Sequence, residues 1–207
     1  SPNELKLFLE YAKKYGNITE YTLVLLLAYS GIRKGEAMGL KWSDINFNKN
    51  EITINKTRDS LGVRSPKTQN SYRTINIDPD VIRQLERYEK WCIETKLSYG
   101  IKHNPKKDFV FMNDSANPIH SYYVNIFFYK LYNLFQEHGI KMKRITPHGL
   151  RHTHATILID MLVPPGDIAY RLGNTIEMIY KVYAHKFKKQ NSEAAILFGK
   201  AVKHAIG

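Results

Sequence analysis

The stretch Thr146-Pro147-His148-Gly149-Leu150-Arg151-His152 carries the densest set of groups able to act on a phosphate. Thr146 suits a helix N-cap and Pro147 the first helical position, which puts His148 and Arg151 in the opening turns. Three residues apart, they share one face beside the positive end of the helix. A proton-transfer group next to a guanidinium fork at such an end suits an anionic phosphate. A solvent-exposed basic helix start has the same sequence. His148 and His152 do not make a zinc helix, because Gly149 stands where H-E-x-x-H has its glutamate. His154 is offset from that pair and reads as a core or surface histidine.

Three further stretches could converge on the same ligand. In Ser30-Gly31-Ile32-Arg33-Lys34-Gly35-Glu36, Arg33 follows a glycine turn and Glu36, three residues on, can orient its guanidinium. An ordinary surface ion pair has the same spacing. Pro66-Lys67-Thr68 places a lysine on a turn from which it can swing into a site built elsewhere, as could any solvated lysine. Arg171-Leu172-Gly173-Asn174 is followed nine residues later by Tyr183, just ahead of Lys186, Lys188 and Lys189. With 14 tyrosines in the chain, a packing or rim role suits Tyr183 equally well, and Tyr180 is a second candidate for any tyrosine chemistry.

The composition narrows the partner. Thirty-one Lys and Arg against 19 Asp and Glu give a net charge of +12 and a pI near 9.6. Such a surplus favours a polyanion, and nucleic acid rewards it through counterion release, although ribosomal, membrane-surface and merely soluble basic proteins share the trait. Hydrophobic residues at 43% and aromatics at 12% exclude disorder as the main state and suffice for a core. The longest apolar run, Tyr21 to Tyr29, is about half a membrane span. The N-terminus lacks the pattern of a signal peptide. One cysteine, Cys92, excludes an intrachain disulfide and a cysteine-cluster metal site, and fits a reducing cytoplasm.

The elements that must hold these residues follow from periodicity. Helices are expected at Glu4–Tyr15, at Thr19–Tyr29 (apolar nearly all round, hence buried) and at Lys34–Gly39. Strand alternation marks Glu51–Asn55 and Ser71–Ile77, with Leu61–Pro66 as a middle strand and Lys67–Asn70 as its turn. A long helix opens at Asp78-Pro79-Asp80 and ends near Gly100. Phe109–Met112 reads as a short isolated strand. Further helices are expected at Tyr122–Glu137, Pro147–Met161, Pro165–Leu172, Glu177–Tyr183 and Ser192–His204. The sum is one α+β domain, mostly helical, with a small three-stranded antiparallel sheet inserted early.

Taken in order, the four stretches resemble the catalytic domain of the tyrosine recombinases, the phage-integrase family, over essentially the whole chain. The matching residues are Ser30-Gly31-Ile32-Arg33 with Glu36, then Leu40-Lys41-Trp42-Ser43-Asp44-Ile45. Lys67 ahead of Arg73-Thr74-Ile75, His148-x-x-Arg151-His152, Leu172-Gly173 and Tyr183-Ala184-His185 complete them. Asn174 departs from the pattern, since relatives usually carry His or Trp there. An asparagine donates an N–H to a phosphate oxygen but not a proton, so the expectation is a hydrogen-bonding role with slower chemistry.

The resemblance implies strand exchange through a covalent 3′-phosphotyrosyl intermediate formed by Tyr183, with no cofactor and no metal, since the protein–DNA ester conserves the bond energy. Arg33 and Arg151 would clamp the nonbridging oxygens. His148 would take the tyrosine proton or hydrogen-bond the phosphate, Lys67 would protonate the leaving 5′-oxygen, and Glu36 would hold Arg33 from behind. It also implies double-stranded DNA sites as substrate, a synaptic tetramer on them and accessory DNA-bending or excision factors. The expected setting is the bacterial cytoplasm and nucleoid, with the gene carried by a prophage or mobile element. Relatives carry core-binding and arm-binding domains ahead of the catalytic one, which this chain is expected to lack. Their segment after the nucleophile docks on a neighbouring protomer; here the apolar face of residues 192–204 could do so or fold back. A type IB topoisomerase and a noncatalytic DNA-binding relative are the competing readings.

Overall fold

Helix α2 (Ile18–Ser30) is the centre of the molecule. It is capped by Asn17 and Glu20, each side chain accepting from the other's backbone N–H, and Leu23 through Ala28 are all buried. A helix apolar on every face must be surrounded, and α1 (Pro2–Tyr15), α4 (Pro79–Ser98) and α6 (Pro147–Asp160) pack around it. α5 (Ser121–Glu137) closes the α1 side, where Phe8 stacks on Phe135 and packs tilted against Phe128. This computed structural model describes residues 1–65 and 68–205 and their side chains other than those at 185, 187–195, 197, 204 and 205. Among the described residues, no helix is long and apolar enough to cross a membrane.

The sheet is three-stranded and antiparallel as expected, but one strand differs from the expectation. The order is β1 (Ile45–Asn46), β2 (Glu51–Ile54), β5 (Arg73–Asn76), with Ile45 opposite Ile52 and Ile52 opposite Ile75. The segment expected as the middle strand instead forms β4 (Gly62–Arg64), which pairs only with β3 (Thr57–Asp59) in a separate hairpin. The reason is burial. Ile45, Ile52 and Ile75 each cover the core, whereas neither strand of the hairpin has a buried residue. Gln69–Ser71 makes a single 3-10 turn into β5. Phe109–Met112 is not a strand of either sheet; its ends form isolated bridges from Phe109 to Lys41 and from Met112 to Pro118.

A short helix α3 (Lys34–Gly39) follows α2, and α7 (Pro165–Leu172) and α8 (Ile176–Ala205) follow α6. The two helices expected at Glu177–Tyr183 and Ser192–His204 are one helical run, broken at Tyr183 by a non-helical residue (φ −114°, ψ 21°). A small second core of Ala155, Ile159, Ile168, Ala169, Leu172 and Ile179 packs beneath that break and takes in the Tyr183 ring. Past it, Ile196, Phe198 and Val202 are exposed, so these three do not fold back onto the domain.

Candidate active site

The turn after α2 sets the first arginine. Gly31 adopts φ 66°, and a Cβ there would fall 2.7 Å from both His154 and Leu172, so only glycine fits the turn. The backbone then presents Arg33 as the residue capping α3. Glu36, one turn on and 3% exposed, accepts from the Arg33 backbone N–H at 2.8 Å and from its Nη1 at 2.9 Å. Arg73, buried on β5, grips the same carboxylate with Nη1 at 3.2 Å and Nη2 at 3.0 Å. Burial alone would push the Glu36 carboxyl up, but the hydrogen bonds and charge of Arg73, joined by Arg33, outweigh it and hold the group below the usual carboxylate range. Arg33 Nη2 donates to Gly173 O at 3.1 Å and to Asn174 Oδ1 at 3.0 Å. The guanidinium is thus fixed from behind while 41% of its side chain stays open to a ligand.

Helix α6 supplies the second arginine. Thr146 caps it, its hydroxyl accepting from Gly149 N at 3.0 Å, with Pro147 at the first position as the sequence predicts. Arg151 is buried and donates Nη1 to Gly31 O at 3.0 Å. Burial, and then the positive charge of Arg33, pull its pKa down to about 10. Three arginines around one carboxylate leave an excess of buried positive charge, which an anion would relieve.

The tyrosine reaches α6 from α8. Tyr183 is 7% exposed and its hydroxyl is 2.9 Å from His152 Nδ1; His152 Nε2 is in turn 2.8 Å from Nε2 of the exposed His148. Burial raises the Tyr183 pKa, and the Arg151 charge opposes that rise. Tyr180, by contrast, is 48% exposed.

The structure therefore brings Arg33, Glu36 and Asn174 into direct contact, and His148 to Tyr183 by way of His152. Arg151 interacts electrostatically with both groups. Lys67 lies outside the described residues, and Lys56, another lysine near the sheet, is paired with Asp44. The carbonyl oxygen of Asn174 is committed to Arg33, which leaves its NH2 as the donor expected to face a phosphate.

Sequence reasoning missed two residues. His152 figures in the sequence only as a rejected zinc ligand and as part of the recombinase motif, with no role of its own, yet its i+4 spacing from His148 puts the two rings edge-on on one face. Arg73 was read only as part of a strand. Its signal was the alternation itself, which places an arginine on the inward face with Ile75 and Ile77, where it must find a carboxylate.

His154 is a core histidine, and its tautomer is set by its partners. Nδ1 donates to Ala28 O at 3.0 Å and Nε2 accepts from Arg171 Nε at 3.0 Å. A proton on Nε2 would face that donor, and burial together with Arg171 lowers the pKa to about 4. The unfolded side chain binds a proton below its ordinary value of about 6.5. Stability is therefore full above that pH and falls as pH drops towards 4, by about 3 kcal/mol at most. Urea unfolding at pH 7 and pH 4.5 should show this loss, and His154→Gln should reduce it. An equal loss in both proteins would assign the acid sensitivity to other groups.

With the geometry in place, the chain can be set beside known proteins. It belongs to the phage integrase family, whose model matches residues 1–190. A tyrosine recombinase XerC-like protein of Caldanaerobacter subterraneus subsp. tengcongensis is 31% identical over 188 residues, covering 83% of this chain and 47% of the relative. The ICEBs1 integrase of Bacillus subtilis is 28% identical, covering 86% of this chain and 47% of the relative. The chain thus spans about half the length of the curated relatives it matches. Among solved structures, the Tn1549 transposon integrase in complex with circular intermediate DNA superposes with a TM-score of 0.77 at 25% identity, covering 95% of this chain and 66% of that one. The catalytic domain of bacteriophage HP1 integrase shares the fold, with a TM-score of 0.57 at 20% identity over 94% of this chain and 91% of that one.

Proposed function

We propose that this domain cleaves and rejoins double-stranded DNA at specific sites through a covalent 3′-phosphotyrosyl intermediate on Tyr183, as part of a recombinase that integrates or excises a mobile element. The observation that carries the reading is the seating of one buried tyrosine hydroxyl on a histidine pair, on the helix that also carries Arg151. Tyrosine has an ordinary pKa of about 10, so as a nucleophile it needs a proton acceptor or cationic surroundings. Both are present here. The scissile phosphate sits between the open face of Arg33 and Arg151, whose guanidinium groups meet the charge that builds on the nonbridging oxygens. Glu36 and Arg73 keep Arg33 in register, and His148 completes the set as proton acceptor or phosphate donor. Lys67 protonates the departing 5′-oxygen. The reaction stores the bond energy in the ester, and the 5′-hydroxyl of a second strand reverses the step.

The partners are DNA sites, further copies of the protein in a synaptic tetramer, and accessory DNA-bending or excision factors, in the bacterial nucleoid. Related structures hold DNA: the Tn1549 integrase was solved with circular intermediate DNA, and XerH with its difH substrate. The +12 charge of this chain suits such a partner. Incubation with a nicked suicide substrate should give a protein–DNA adduct that survives denaturant. Binding without any adduct would identify a noncatalytic relative, and relaxation of a plasmid lacking a specific site would point to a topoisomerase.

Asn174→Ala should slow cleavage by about tenfold to a hundredfold, the size of one hydrogen bond to a charged group at roughly 1.5–3 kcal/mol. Asn174→His should stay active. An unchanged rate in the alanine variant would mean that neither the phosphate nor Arg33 depends on this side chain.

Lys67→Ala should cleave at least about a hundredfold more slowly, because the 5′-oxygen must then leave as an alkoxide. Sulfur in the bridging 5′ position leaves unprotonated and should restore the rate to this variant, but not to Arg33→Ala or Arg151→Ala. Failure of the rescue would make Lys67 a phosphate-positioning residue, and rescue of Lys56→Ala instead would move the acid to that lysine.

A further inference from the structure

We propose that His152 is the group that takes the proton from Tyr183, and that it hands a proton on to His148, which ends the reaction charged. The inference rests on the reading of Tyr183 as nucleophile. Its basis is the order of contacts: the tyrosine hydroxyl touches His152 Nδ1 at 2.9 Å, and His148 reaches the hydroxyl only through His152 Nε2, at 2.8 Å.

One assignment of protons satisfies both bonds with the hydroxyl donating. Neutral His152 carries its proton on Nε2 and accepts the Tyr183 O–H at Nδ1. Neutral His148 carries its proton on Nδ1 and accepts from His152 at Nε2. During attack, the bond from Tyr183 Oη to phosphorus forms as the bond to the 5′-oxygen breaks. The Oη proton passes to His152 Nδ1 and the Nε2 proton passes to His148 Nε2. His152 finishes neutral in its other tautomer, and His148 finishes as the imidazolium. The leaving 5′-oxygen takes its proton separately.

The surroundings favour that direction. The groups acting on His152 are His148 and Arg151 on α6 and Tyr183 on α8. Burial, and then the charges of His148 and Arg151, lower its pKa, so a lasting positive charge on this ring is disfavoured. His148 is exposed, and water can solvate the charge there. The edge-on packing of the two rings, 86° apart, lets the Nε2 of one point at the Nε2 of the other.

The test is the single-turnover rate of adduct formation on a nicked suicide substrate, measured from pH 5.5 to 9.5, with DNA affinity measured in parallel. In His152→Asn the amide reaches the Nδ1 position and still binds the hydroxyl, but it cannot accept a proton. That variant should bind DNA normally and form adduct about a hundredfold or more slowly near neutrality. Its rate should keep climbing with pH towards the tyrosine range, whereas the parental rate should level off at a lower pH, since burial lowers the pKa of the acceptor His152. A role limited to packing would scale the rate without altering that profile. His148→Ala, a truncation at an exposed position, should lose only about tenfold, because His152 can still take the first proton. A parental rate and profile in His152→Asn, or a larger loss in His148→Ala than in His152→Asn, would overturn the relay. Adduct formation by Tyr183→Phe would instead overturn the nucleophile. If His152→Asn fails to bind DNA, the size of the His148→Ala loss still decides, since a loss of a hundredfold or more there makes His148 the direct acceptor.

Discussion

Tyr183→Phe should abolish the covalent adduct and leave DNA affinity within about twofold of the parent. The substitution removes one oxygen and nothing else. The ring stays in the small core formed by Ala155, Ile159, Ile168, Ala169, Leu172 and Ile179, so the break in α8 keeps its packing. The lost hydrogen bond to His152 costs about 1 kcal/mol of stability, the usual worth of one such bond, which leaves the domain folded. On the proposed function, affinity for DNA comes from cationic contacts to the phosphate backbone, to which a neutral tyrosine hydroxyl adds little. Tyr180→Phe is the control, since that side chain is exposed and should give the parental adduct yield. Loss of the adduct in Tyr180→Phe together with its persistence in Tyr183→Phe would transfer the nucleophile to position 180.

The second large effect belongs to Arg151. Arg151→Ala should reduce the cleavage rate by about 10²–10³, the cost of removing one preorganised donor to a developing oxyanion. Arg151→Lys should recover less than about tenfold of that, because an ammonium is a point charge and cannot span two oxygens as the fork does. Both should also weaken anion binding in the absence of DNA. Sulfate should raise the melting temperature of the parent by binding between Arg33 and Arg151, and raise that of Arg151→Ala far less. Equal stabilisation of the two proteins by sulfate would place the anion elsewhere.

What the sequence disclosed was mostly what is local. The caps of α6, the all-apolar run of α2 and the i+3 pairing of Arg33 with Glu36 are set by neighbours a turn away, and each was readable from spacing. The edge strand β1 was not, because two residues carry no period; its place is fixed only by Ile45 facing Ile52 across the sheet. The hairpin β3–β4 was misassigned for the converse reason, since its alternation is present but covers no core. At the site, the resemblance to the recombinases gave the residue types. It did not give the order of contacts, in which His152 stands between His148 and Tyr183 and Asn174 turns its oxygen to Arg33. Those depend on side-chain directions across a span of 141 residues between Arg33 and Asn174.

That span bears on how the protein comes into being. The carbonyl of Gly31 receives Arg151, 120 residues later, and the group proposed to attack lies later still in the chain. Contacts of such long separation close late, after the local helices have formed. Within this domain Arg33 and its carboxylate precede α6 and the break in α8 in the chain, so the site closes only once those later elements have packed. A polypeptide ending before residue 151 would hold the Arg33–Glu36 pair but neither the second arginine nor the proposed nucleophile. On the proposed mechanism, a premature stop after Arg151 but ahead of Tyr183 therefore yields a polypeptide that keeps arginines to bind a phosphate but lacks the nucleophile that would cleave it.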